Sequence, residues 1–360
     1  NSNAGILTVN ALPNITSQPV NSTVCAGGNT SFSVTATGVG LTYQWQLSTD
    51  NGATWNNQAN GGVYSNMTTS TMNITGATNA MNTYQYRCVV SGTCPPPANS
   101  TAGILTVNAL PSITTQPTNK SVCVGGNTTF SVTATGAGLT YQWQLSTDNG
   151  VTWNNQANGG VYTNMTTATM SITGALITMN AYQYRCVVSG TCPPSVNSTA
   201  GILTVNALPA ITSQPVNSTV CAGGNTTFSV TATGAGLTYQ WQLSTNNGVT
   251  WANQANGGVY SNMTTATMSI TGATNGMNTY QYRCVVSGTC PPSVNSAAGI
   301  LTVNALPTIT VQPSNQAVCV GGNTTFSVTA TGAGLTYQWQ LSTDNGVTWN
   351  NQADGGVYSN

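Results

Sequence analysis

The sequence predicts an all-β chain, made of tandem two-sheet antiparallel sandwiches of 98 residues each, and three observations carry that prediction. The first is periodicity. The segment TYQWQLST places Trp at 45, 143, 241 and 339, and the VC(A/V)GG segment places Cys at 25, 123, 221 and 319. Every step is 98 residues, and residues 13–110 differ from 111–208 at only 18 of 98 positions, as recent duplication within one gene would leave them. The second is alternation: apolar residues recur every two positions, the signature of half-buried strands, and no stretch keeps a helical period. The third is punctuation, because Gly, Asn and Pro pairs separate the alternating runs.

Taken in chain order, one repeat reads as follows. Phe32, Val34 and Ala36 alternate with Ser and Thr. Leu41, Tyr43, Trp45 and Leu47 share one face of the next strand, with Gln44 and Gln46 on the other. Met72 and Ile74 continue the pattern, then Tyr84, Tyr86, Cys88 and Val90, and finally Leu105 and Val107. Turn formers lie between: Gly27-Gly28, Gly38, Asn51-Gly52, Gly61-Gly62 and Ser91-Gly92. About seven or eight short strands in ~100 residues is the strand content of a two-sheet sandwich.

The repeats set the domain boundaries. Residues 1–12 match the last strand of a preceding repeat, 13–110, 111–208 and 209–306 are complete repeats, and 307–360 is a partial one. Head and tail do not sum to one repeat, because the counterparts of residues 67–98 are missing from both. The expectation is a window from a longer array.

The order Trp45, then the TMNITGA strand at 71–77, then Tyr86-Arg87-Cys88 resembles the immunoglobulin fold, and the resemblance covers every repeat. It implies that Trp45, Tyr86 and Cys88 share the core, as do Trp143 and Cys186, and Trp241 and Cys284. It also implies a corner hydrogen bond from the Tyr two residues before the Cys. One departure stands out. Ala36 occupies the place of the second core Cys, so the usual inter-sheet disulfide is not expected. As a whole, the unit is similar to the bacterial immunoglobulin-like repeats of long, often secreted surface proteins in the Bacteroidota.

Each complete repeat carries three cysteines, 25, 88 and 94 in the first, and ten in the chain fit an oxidising compartment. On an immunoglobulin-like layout Cys25 lies at the pole where the chain leaves the domain and Cys94 at the opposite pole. A disulfide needs Cα atoms within about 7 Å, and a strand of eight residues is ~26 Å long. Head-to-tail stacking instead brings Cys25 towards Cys192, and Cys123 towards Cys290. The competing arrangement is a bond inside each repeat, Cys25 to Cys88 or Cys94, with Cys221 the equivalent position in the third repeat. The junction Val107-Asn108-Ala109-Leu110-Pro111 has no Gly-Ser tract, and Pro restricts both itself and its predecessor. Such a linker is short and stiff, which favours a head-to-tail rod over beads on a tether.

Composition narrows function. Eight of 360 residues are charged, four of each sign, and there is no His and no Glu. General acid–base catalysis, zinc sites and calcium cages draw on those residues, so neither enzyme, metal nor other cofactor is expected. Nucleic acid is not an expected partner either, since phosphate neutralisation needs Lys and Arg. No run approaches 18 apolar residues, so no membrane span is expected in this segment, and no signal peptide is visible at its start.

Ser48-Thr49-Asp50-Asn51-Gly52-Ala53-Thr54-Trp55 resembles the Asp-box, a structural hairpin of sialidases and other β proteins in which Asp braces the turn and Trp packs beneath. Copies recur at 146–153 and 342–349, while 244–251 has Asn246 in place of Asp. Trp55 with Tyr64, Trp153 with Tyr162, and Trp251 with Tyr260 offer a stacking face for surface glycans, against the alternative that both aromatics close the sandwich edge. Sequons such as Asn14, Asn21, Asn29, Asn66 and Asn73 are acceptors only in a glycosylating host. The expectation is an extracellular or cell-surface bacterial protein, secreted and non-enzymatic. Its chains associate with like chains into fibres through an almost uncharged surface, with a surface adhesin or carbohydrate binder as the alternative.

Overall fold

A computed structural model describes residues 3–359 of the chain. The chain divides into two compact units, Asn1–Val205 and Asn206–Asn360. The first unit holds two complete repeats, the second a complete repeat and the partial copy.

In the first repeat the strands are β1 (Asn14–Ser17), β2 (Ser22–Cys25), β3 (Thr30–Ser33), β4 (Thr35–Thr37), β5 (Thr42–Ser48), β6 (Asn56–Asn57), β7 (Tyr64–Ser65), β8 (Thr71–Ile74), β9 (Gln85–Ser91), β10 (Ala98–Asn99) and β11 (Gly103–Asn108). One sheet runs β2-β11-β9-β5-β6 with β10 on β9, the facing one runs β3-β8-β7, and β1 pairs with β4. All pairings are antiparallel except β2 with β11. The second and third repeats repeat this order. The single run expected across Phe32, Val34 and Ala36 is two strands. At Val34, whose N–H bonds the Ser70 carbonyl, pairing with β8 ends, and β4 then pairs with β1 instead.

The core sits between the sheets. Trp45, Met67, Met72, Ile74, Tyr86, Cys88, Val90 and Leu105 are fully buried, and Leu41, Tyr43, Leu47 and Ala36 pack at its margin. Trp45 stands directly opposite Cys88 in the β5–β9 ladder, and its indole N–H donates to the Thr69 carbonyl at 2.9 Å. The equivalents Trp143 with Cys186 and Trp241 with Cys284 repeat the pairing. Glycine at 103 is a packing requirement: a Cβ there would lie 2.7 Å from the Phe32 ring.

The tyrosine corner differs from the expectation. Tyr86 is buried in the core, but its hydroxyl meets the Tyr64 hydroxyl at 3.1 Å, across the sandwich, rather than a nearby carbonyl. Ring contact between the two at 6.1 Å, and between Phe32 and Tyr86 at 5.0 Å, ties the sheets together.

Residues 3–12 also differ: they form no strand, and Ile6, Leu7 and Val9 are more than 80 % exposed. The same GILTVN sequence at 103–108 is β11, where β2 and β9 supply partners on both sides. Among the described residues no strand pairs with the head. In the partial copy Trp339 is 38 % exposed for the same reason, since the counterparts of β8, β9 and β11 are not among the 360 residues.

Candidate functional site

Two features involve the residues singled out above: the junction between the first two repeats, and the hairpin after β5, which recurs in each repeat.

At the junction β11 ends with Asn108 beside Cys25, and the Asn108 carbonyl accepts from the Ala26 N–H at 2.9 Å. The Cys192 sulfur lies 3.7 Å from the same carbonyl, so both poles meet at Asn108. Beyond it Pro111 is buried, the Ala109 carbonyl accepts from the Ala137 N–H at 3.1 Å, and a Cβ on Gly136 would lie 3.0 Å from the Leu110 carbonyl. The linker is therefore packed onto the second repeat from its first residues. Cys25 and Cys192 are bonded, their Cα atoms 5.7 Å apart and 167 residues apart in sequence. Neither in-repeat alternative is made: Cys88 is a buried thiol and Cys94 a half-buried one. Cys94 sits 3.6 Å from the Asn10 carbonyl, the placement that Cys192 has against Asn108, and carries no bridge. Cys221 is an exposed thiol. Burial pushes the Cys88, Cys186 and Cys284 thiols up to about 11, since the thiolate is disfavoured away from water.

The hairpin is braced throughout by its own side chains. Ser48 donates to Asp50 at 2.7 Å, and the Gly52 N–H donates to the Ser48 hydroxyl at 2.8 Å. The Thr54 N–H and hydroxyl both donate to the Asp50 carboxylate. Asn51 and Gly52 take φ of 59° and 89°, which Asn tolerates and Gly favours. Bonds from Thr54, then Ser48, hold the Asp50 carboxyl down at about 2, and Asp148 and Asp344 behave alike. With Asn246 the turn persists, because its amide oxygen accepts from Thr250 N–H and its amide nitrogen donates to the Thr250 hydroxyl.

Trp55 and Tyr64 do not converge on one stacking face. The Trp55 indole donates to the Gly52 carbonyl, and the Arg87 guanidinium lies over its ring at 4.4 Å while its Nε donates to Gln46. Tyr64 belongs to the other sheet and spends its hydroxyl on Tyr86. Trp153 with Arg185, Trp251 with Arg283, Tyr162 with Tyr184 and Tyr260 with Tyr282 repeat this arrangement. Both aromatics are thus engaged inside their own repeat. No group of three or more His, Cys, Asp or Glu able to hold a metal lies among the described residues.

Residues 15–109, 113–207 and 211–305 each match the family described as Domain of unknown function (DUF8696). The chain belongs to this family. No curated protein matches it by sequence. Among solved structures it is similar to an I-band fragment of titin, with 16% identity, a TM-score of 0.53, and coverage of 81% of this chain and 99% of that one. A three-immunoglobulin-domain titin variant with Glu-to-Ala changes gives 17% identity, a TM-score of 0.53 and the same coverage. Immunoglobulin domains one to five of Sidekick-1 give 21% identity over 82% of this chain and 60% of that one, with a TM-score of 0.41. The two titin likenesses show the fold of this chain: tandem immunoglobulin-like sandwiches.

Sequence reasoning missed the asparagines that serve the backbone. Asn60 accepts from Met67 N–H, Asn82 from Val107 N–H, Asn21 from Ile104 N–H and Asn29 from Gly76 N–H, all at 2.9 Å. Their abundance hid them, although Asn beside Gly, as at Asn60-Gly61, is a turn signal that could have marked one. Buried Ser100, which accepts from Cys88 N–H, had no such signal.

Proposed function

We propose that this chain is part of an extracellular structural array, in which immunoglobulin-like repeats are joined into a stiff rod or filament at a bacterial cell surface. One observation carries the reading: within the first unit, a disulfide spans two successive repeats rather than closing one. Domains that only fold side by side have no use for such a bond, whereas an element that must not bend or separate does. Cys123 and Cys290 stand at the positions of Cys25 and Cys192 one repeat later, and the proposal extends the same bond to them. The four positive and four negative charges in 360 residues leave Asn, Thr, Ser and Gln to dominate the surface, with little repulsion to oppose lateral contact between like chains. Secretion follows from the disulfide, which persists in oxidising compartments. The kinship with Bacteroidota surface repeats belongs to the same proposal and rests on sequence resemblance alone.

Negative-stain images of native material test it. Ordered fibres with a repeat of ~40 Å, about one sandwich length by strand rise, are the expected result, and isolated flexible beads the opposite one. An adhesive role for the repeats is the second reading. It is disfavoured by the Arg87 cap on Trp55, which covers one ring face a sugar would need. Saturable glycan binding that falls on Trp55→Ala substitution would reinstate it.

A further inference from the structure

The Cys25–Cys192 bond changes which residues can feel a pull along the chain. Cys25 is the last residue of β2, near the start of the first sandwich. Cys192 follows the strand Gln183–Ser189 and precedes the last strand of the second sandwich, Gly201–Asn206. Between them lie Trp45, Cys88, Trp143 and Cys186, and every buried core residue of both repeats except Leu203 and Val205. We infer that the bond is a load bypass: tension entering through β2 crosses the junction to Cys192 and leaves along the last strand of the second repeat, and the chain between the two cysteines, with most of both hydrophobic cores, is spared it.

The mechanics follow from the connectivity. A sandwich resists extension only with individually weak hydrogen bonds and a marginal net stability, so a sustained pull unravels it. A covalent bond in parallel with the fold does not yield to such loads. The shortest covalent path from Ala11 to Thr204 takes 14 steps to Cys25 and 12 steps from Cys192, in place of the 167-step separation that the bond closes. At about 3.5 Å per extended residue, those enclosed residues represent about 580 Å of slack that the bond withholds. The core thiols do not undo it by exchange. Thiolate is the attacking species, and Cys88 and Cys186 are buried and held protonated well above neutral pH. Opening needs an external dithiol such as dithiothreitol, which is oxidised to its cyclic disulfide as Cys25 and Cys192 each take up an electron and a proton.

This inference rests on the load-bearing reading of the array, but its test is independent of fibre images. The full chain, carrying azide residues at the exposed positions Ala11 and Thr204, is stretched between beads. In non-reducing buffer the handles should never separate by more than about 100 Å, whatever the force, up to rupture of the tether. Dithiothreitol should release a further length of about 580 Å, and Cys25→Ser should release it without reductant. A release of that length from the oxidised wild-type chain overturns the inference, and the reductant arm decides it even if the variant folds poorly. Fibres absent from images with the length limit intact would instead overturn the array reading alone.

Discussion

Trp45 concentrates what a single side chain contributes to one repeat. It is fully buried, faces Cys88 across the β5–β9 ladder, and satisfies its indole N–H on the Thr69 carbonyl. Truncating a buried aromatic removes its transfer free energy and leaves a cavity, so Trp45→Ala should cost about 3–5 kcal/mol. Such a loss is a large part of a domain's stability. The expected outcome is selective: hydrogen exchange should rise in peptides spanning 30–107 and stay unchanged in the third repeat, which keeps its own Trp241. Equal deprotection of both regions would mean that the repeats do not own separate cores. The Cys opposite Trp45 has a complementary role. With Ala36 only part-buried at the core margin and Cys88 a free buried thiol, Cys88 acts as a small apolar filler, and the fold holds without an inter-sheet disulfide at this position.

At the scale of the element, the hairpin after β5 supplies an internal control. In the first two repeats an Asp braces it, in the third an Asn. The Asp50 and Asp148 carboxyls titrate near 2 in the folded chain, below the ordinary value of 3.8, chiefly through bonds from Thr54 and Thr152. A depressed folded value means that the stabilisation is fully present above about 4 and is lost as pH falls towards 2. Between pH 4 and 2 the turns at 48–55 and 146–153 should therefore loosen, read by amide exchange of Gly52 and Thr54, while 244–251 does not change. Asp50→Asn should make the first hairpin behave like the third. This motif was legible in sequence because its geometry is local: four side chains within eight residues close the turn. The Trp45-to-Cys88 order was legible because it repeats and because strand alternation fixes which face each residue takes. What stayed hidden depends on distant partners. Tyr64 reaching Tyr86, Arg87 covering Trp55, and Asn82 serving Val107 join residues 22, 32 and 25 positions apart, and alternation says nothing about what lies across a sheet edge.

For the whole molecule, scarcity of charge is the property that sets behaviour in solution. Eight charged side chains in 360, balanced at zero, leave salt almost nothing to screen. Six of them are occupied at short range: Arg87, Arg185 and Arg283 stack on Trp rings, and Asp50, Asp148 and Asp344 are held by hairpin Ser and Thr, contacts much shorter than a Debye length. With no His and no Glu, no side chain ordinarily titrates between the aspartates, at about 2 in the hairpins, and the thiols, the buried ones at about 11. Linkage then requires a plateau, because stability changes with pH only where folded and unfolded states bind different numbers of protons. The midpoint of thermal unfolding should stay constant within about 2 °C from pH 5 to 7.5 and from about 0.05 to 1 M sodium chloride. The proposed association of like chains should respond differently: without repulsion to screen, added salt should not disperse it, whereas replacing exposed Thr residues such as Thr35 and Thr37 with Lys should. Sedimentation of wild-type and Lys-bearing chains across the salt series checks both parts. Wild-type chains dispersing in high salt would show that ionic contacts, rather than the uncharged amide and hydroxyl surface, hold them together.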